Sequence, residues 1–176
     1  MSVKDKLMLS FEKAKREDAH AAWEIRNAAI LNQCVEHYSV DILNIWAGAE
    51  LSEVFKDTVE KYFYVARENN QVVGTGMIDI ETGKIDAVFV HPNYIRKGIG
   101  KKIVNFLEGI ARRHGLKTLN LESTLNAAVF YRACGFEGNE LGTYVSPSGV
   151  SLGCIPMVKV LLPNNRFQPT SAEAER

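Results

Sequence analysis

Cysteine is scarce in this sequence: Cys34, Cys134 and Cys154 are widely separated and fall in no metal-ligand spacing. That excludes a disulfide-built scaffold, and an odd count without a secretory leader favours a reducing compartment. Charge of one sign is not in excess either. Lys+Arg and Asp+Glu both number 21, so no global pull toward nucleic acid or an anionic membrane surface is expected. Long apolar runs are missing as well; the longest are strand-sized and far short of a membrane span. The opening stretch MSVKDKLMLSFEKAKRED is charged throughout and holds no apolar core of the kind a signal peptide needs. His20, His37 and His114 share no spacing that suggests a metal. A cytoplasmic protein with no nucleic-acid partner, no membrane partner and no metal is expected.

What is present is ordinary globular material, 46% hydrophobic and 24% charged, in a length that suits one domain. The pattern from Leu7 to Ala14 suits a first strand. Arg16-Glu17-Asp18 opens an amphipathic helix to about Cys34, with acidic residues where the helix dipole favours them. Ser39 reads as the N-cap of a second helix ending at Gly48, and a third short helix covers Leu51 to Asp57. Tyr62 to Ala66 and Val72 to Ile80 form a hairpin, in which Gly74 and Gly76 suggest a bulge or a closely passing backbone. Lys84 to Val90 is the next strand, stopped at His91-Pro92. A helix from Gly98 to His114 is closed by Gly115, and Leu116 to Glu122 is again a strand. A short helix spans Asn126 to Cys134. Two last strands, Glu140–Val145 and Ser151–Leu161, flank the turn Ser146-Pro147-Ser148-Gly149. The polar tail from Pro163 is expected to be disordered, leaving residues 1–162 as the domain.

The most informative segment runs from Val88 through His91-Pro92-Asn93-Tyr94-Ile95-Arg96-Lys97-Gly98-Ile99-Gly100 to Lys101-Lys102. A buried strand enters a basic glycine-containing loop, and the loop opens a helix. Helix N-termini offer unpaired amides and a positive dipole end, which together bind phosphate. Glycines at 98 and 100 let a diphosphate approach the backbone, while Arg96, Lys97, Lys101 and Lys102 add charge. A P-loop would need glycine at position 95 and Ser or Thr at 102, which hold Ile95 and Lys102. A dinucleotide fingerprint would need a third glycine where Ile103 stands. Both motifs fail.

This segment resembles the GNAT superfamily of acyl-CoA N-acyltransferases, whose central helix begins with Arg/Gln-x-x-Gly-x-Gly/Ala. The stretch Leu121-Glu122-Ser123-Thr124-Leu125-Asn126-Ala127-Ala128-Val129-Phe130-Tyr131-Arg132-Ala133-Cys134-Gly135-Phe136 resembles the family's strand, Asn-led helix and Phe-Tyr-x-x-x-Gly-Phe ending. One departure is clear: the Arg/Gln position is Ile95, with Arg96 one residue later. The loop amides come from the backbone and are unaffected.

The resemblance implies an α/β GNAT fold, a single domain whose central mixed twisted sheet of about six to seven strands is flanked by helices. It also implies acetyl-CoA as cosubstrate and direct acetyl transfer to a primary amine, a small molecule rather than a protein. Val88, Phe89 and Val90 would run beside the pantetheine, and the Val90 amide would face the thioester oxygen. Arg96, Lys97, Gly98, Ile99, Gly100 and Lys101 would hold the pyrophosphate. Asn126 would bond the pantetheine or cap its helix. Tyr131 is the candidate general acid; Glu122 and Asp86 are the candidate bases, with a water relay as the third route. An acetyl-cysteine intermediate is not expected, since Cys134 and Cys154 read as packing residues. Trp23, Tyr38, Trp46, Tyr62 and Tyr94 are candidates for lining the acceptor pocket, and Glu36 and Asp41 for attracting a cationic amine. A homodimer fits the family's habit. The rival readings are a non-catalytic acyl-CoA-binding or sensing module and a protein interaction domain.

Overall fold

Residues 9–161 are described by a computed structural model; the expected tail and the first two residues of the expected first strand lie outside them. Seven strands follow one another along the chain: β1 (Leu9–Lys13), β2 (Phe63–Glu68), β3 (Gln71–Asp79), β4 (Lys84–Val90), β5 (Thr118–Thr124), β6 (Gly142–Val145) and β7 (Ser151–Val160). They make one sheet in the order β1-β2-β3-β4-β5-β7-β6. All neighbours are antiparallel except β4 and β5. The helices are α1 (Ala19–Gln33), α2 (Val40–Ala47), α3 (Glu53–Tyr62), α4 (Ile99–Arg113) and α5 (Ala128–Ala133).

Both faces of the sheet are covered, and side-chain alternation shows how. On β3, Val72 joins Ala22, Ile25 and Val59 of α1 and α3, whereas the next residue, Val73, joins Ile103, Val104 and Leu107 of α4. The α4 stripe is periodic: Ile99, Ile103, Val104, Leu107, Ile110 and Ala111 are buried. Each large aliphatic buried this way contributes about 1.5–3 kcal/mol. At Gly74 and Gly76 it is side chains of this helix, not a passing helix backbone, that come close. A Cβ on Gly76 would lie 2.6 Å from Ile103 Cγ2, and one on Gly74 2.8 Å from Ile103 Cδ1. Gly76→Val is therefore expected to cost about 1–3 kcal/mol, or roughly 2–12 °C in Tm, by overpacking. A thermal melt of the variant checks this; an unchanged Tm would show that α4 can stand off from β3 without penalty.

The bulge expected from the same two glycines is present on β3, where Val73 is the extra residue between the pairs Ala66↔Gly74 and Arg67↔Val72, and a second lies opposite on β4. Between the pairs Met77↔Asp86 and Thr75↔Phe89, β4 carries one residue more than β3, and Ala87 adopts φ 50. This kink has a topological consequence. The β4–β5 ladder holds at Lys84↔Asn120 and nowhere beyond, so the two central strands part as they run toward α4 and α5.

Several boundaries differ from the sequence reading, among them the fifth strand, Thr118–Thr124 rather than Leu116–Glu122, and the first helix, whose Arg16–Asp18 opening is a separate 3-10 turn. The third helix runs on to Tyr62, because Phe55, Val59 and Tyr62 keep helical spacing against the α1 side of the sheet. The sixth strand begins at Gly142 rather than Glu140. Asn126 sits in a 3-10 turn, Leu125–Ala127, ahead of α5, and no side chain caps either element.

Candidate active site

The loop before α4 has the geometry of an anion cradle. Arg96 and Gly98 take left-handed φ values of 62° and 75°, so successive amides turn to one side. The helix opens with the bond from Lys102 N–H to Gly98 C=O at 3.1 Å, which leaves the amides of Ile99, Gly100 and Lys101 ahead of it. A Cβ on Gly98 would meet nothing within 4 Å, so there glycine serves the φ value and not a tight contact. Arg96, Lys97, Lys101 and Lys102 are exposed, and none forms an ion pair among the described residues. Ile95 is exposed too, beside rather than beneath this cradle. His91 is engaged: its Nδ1 accepts the Asn93 amide at 3.1 Å and caps the turn.

Where β4 and β5 part lies a cavity of about 530 Å³. Val88 and Phe89 line it from β4, Leu121 and Glu122 from β5, and Tyr131 from α5. Val88 and Val90 pack toward α4, Phe89 toward α1. The Val90 carbonyl accepts Gln33 Nε2 at 3.4 Å, so α1 reaches the strand edge where an extended ligand would run.

The two candidate carboxylates meet over one lysine. Lys84 Nζ lies 3.0 Å from Glu122 Oε2 and 3.5 Å from Asp86 Oδ2. Desolvation by the cavity wall raises the Asp86 carboxyl above its usual range; Lys84 opposes this and Glu122 reinforces it. Lys84 itself is pulled down by burial, but the two carboxylates outweigh that and its pKa ends raised. Tyr131 is buried, with its ring against Phe130 and Phe136 at 5.0 and 5.8 Å. Its hydroxyl has no hydrogen-bond partner among the described residues. Desolvation first, then the Asp86 charge, pushes its pKa well up, so the phenol keeps its proton at neutral pH. Tyr38 is the opposite case: its hydroxyl donates to Gly153 C=O at 2.7 Å and accepts the Leu125 amide at 3.0 Å, tying the α1–α2 connection across the gap.

The structure thus brings together Asp86, Glu122 and Tyr131 at the cavity, with Val88 to Val90 connecting it to Arg96–Lys101. Asn126 stands near the junction, but its Oδ1 accepts Cys34 Sγ at 3.5 Å. Trp23, Tyr38 and Trp46 line the cavity as expected; Tyr62, Tyr94, Glu36 and Asp41 do not. Burial pushes the Cys34 thiol up to about 11 and raises Cys134 and Cys154 as well, so none is a ready nucleophile. Lys84 was missed in the sequence, although its i, i+2 relation to Asp86 puts both on one face of a strand. Arg26, one helical step from Trp23, was missed as a lining residue.

A mixed sheet parted at its centre thus carries a basic amide cradle before α4 and a titratable cavity between β4 and β5. Residues 60–138 match the model of the acetyltransferase (GNAT) domain, and the mixed sheet with its flanking helices is the GNAT fold. A Bacillus subtilis (strain 168) protein provisionally named an acetyltransferase is 29% identical over 126 residues, covering 68% of this chain and 77% of that one. A GCN5-related N-acetyltransferase from Rhodopseudomonas palustris matches with TM-score 0.78 at 24% identity, over 92% of this chain and 99% of the other. The PaiA N-acetyltransferase of Thermoplasma acidophilum, solved in complex with coenzyme A, matches with TM-score 0.69 at 17% identity over 88% and 100%. At such identities the solved structures establish the shared fold. No helix of the described residues is long and apolar enough to cross a membrane.

Proposed function

We propose that the protein moves an acetyl group from acetyl-CoA to the primary amine of a small molecule, by direct transfer. The observation that carries this is the unpartnered Tyr131 hydroxyl in a cavity that Asp86, Val88 and Phe89 of the parted β4 also line. Acetyl-CoA, when bound, supplies an activated thioester whose thiolate is a moderately good leaving group. The Arg96–Lys101 amides and charges would hold its pyrophosphate, and Val88 to Val90, with Asn126 across the gap, its pantetheine arm.

The residues then divide the proton work. Asp86 takes the proton that the acceptor nitrogen must lose to attack, and its raised pKa makes it a better base than an exposed carboxylate. Glu122 holds Lys84 in place, and Lys84 limits how far Asp86 rises. Tyr131 gives its proton to the departing sulfur as the carbon–sulfur bond breaks and the carbon–nitrogen bond forms. A cavity of about 530 Å³, walled by α1, α2 and the β6–β7 hairpin, supports a small acceptor over a protein terminus.

Thermal shift tests the cosubstrate. At 100 times Kd a ligand adds about 2.7 kcal/mol, or roughly 5–11 °C, to the native state. Acetyl-CoA and CoA are expected to give that rise and ATP none. A rise with no thiol release against an amine panel would point to a binding module. No rise with either CoA species would overturn the reading.

A further inference from the structure

Arg26 is the cation in the cavity that the chemistry above leaves unused. It sits three residues after Trp23 on α1, so both face the same way. Its guanidinium stacks over the Trp23 ring at 4.8 Å, donates from Nη2 to Trp46 C=O at 3.0 Å and from Nη1 to Asn27 Oδ1 at 2.7 Å. Those bonds use two of five N–H donors. No carboxylate of the described residues lies within 4.0 Å of it; of the three acids that line the cavity, Asp86 and Glu122 are paired with Lys84, and Glu50 forms no ion pair with Arg26. Desolvation lowers its pKa, opposed by Tyr144.

An enclosed cation with no counter-ion is costly and is stabilised when a ligand brings one. Because three contacts hold the guanidinium, its remaining edge is preorganised for a planar anion. The α4 cradle is not that anion's home: Gln33, which touches Val90, lies seven residues and about 10 Å further along α1. Tyr144 marks the space between. Its hydroxyl has no partner among the described residues and feels the charges of Asp86, Lys84 and Glu122 as well as Arg26. The cavity therefore has a cationic end and a proton-transfer end, with Trp23, Trp46 and Phe55 among the walls.

We propose that the acceptor is an amine that also carries a carboxylate on an apolar or aromatic frame, and that Arg26 receives the carboxylate. This rests on the cavity being the acceptor site. Polyamines are disfavoured by the Arg26 charge, and a plain apolar amine would leave the guanidinium uncompensated.

Calorimetry on the full chain tests it with acid–amide pairs: phenylalanine, tryptophan, leucine and methionine against their carboxamides. Within at least one pair the acid is expected to bind on the order of 10–100-fold more tightly than its amide. Arg26→Gln should abolish that preference, and Arg26→Lys should restore part of it. The comparison on the unmodified protein needs no variant, so a folding defect cannot mask it. If no pair separates, or the preference survives Arg26→Gln, the assignment is wrong. Binding is read without turnover, so absent thiol release would sink the transferase reading and leave this one standing.

Discussion

Tyr131→Phe is expected to lower turnover at saturating acetyl-CoA by about 10²–10³-fold while leaving the fold and CoA binding intact. The ring is held by Phe130 and Phe136, and the hydroxyl makes no bond to the described protein, so its removal breaks no structural contact. Stability should be unchanged, since the hydroxyl faces the cavity and no buried polar side-chain atom of the described residues is left without a partner. The chemistry loses more. A thiolate leaving into an apolar cavity is destabilised by the same desolvation that raises the tyrosine, so proton delivery becomes more important there than in water. Steady-state thiol release measures kcat, and thermal shift with CoA measures the ground state separately. A second arm isolates the role: thioesters of more acidic thiols need less proton donation, so the variant's deficit should shrink with them. Turnover within about twofold of the unmodified protein would remove Tyr131 from the mechanism.

The parts of this architecture that were legible are those written within one element. Lys84–Val90 is delimited by β-branched residues and a following His91-Pro92, and the structure keeps both bounds. Ser39 caps α2 with its hydroxyl, as serine before an apolar helix should. The basic loop, Tyr131, Asp86 and Glu122 could be named because local spacing and family likeness single them out. What was not legible joins distant elements. Lys84 and Glu122 are 38 residues apart, and Tyr38 reaches a carbonyl 115 residues away. The Ala87 bulge is harder still, because alanine carries no mark of a left-handed φ; the neighbouring strand and Thr75, which donates to the Ala87 carbonyl at 2.9 Å, impose it. Yet that bulge parts β4 from β5 and so makes the site. Tertiary pairing, not propensity, decided where the cavity lies.

Asp86→Asn should produce a second large loss, about 10²-fold in kcat/KM, and here activity and stability should move in opposite directions. The side chain keeps 36% of its surface accessible, and enclosure by the cavity walls is what desolvates it. A carboxyl raised in the folded state stabilises the fold at low pH, and that contribution is lost as pH rises through its folded value. At neutral pH the charged form is therefore a burden that asparagine does not carry. Glu122 still pairs with Lys84 in the variant, so no lone ammonium is created. Tm near pH 7 is expected to hold or rise slightly while the rate falls. The pH profile supplies the discriminating readout. The unmodified enzyme should lose kcat/KM as the pH falls through a carboxyl titration lying above the ordinary aspartate range, and Asp86→Asn should lack that limb. If the limb survives in Asp86→Asn and disappears in Glu122→Gln, the base is Glu122. If it survives in both, a water relay deprotonates the amine, and Asp86 serves only to steer Lys84.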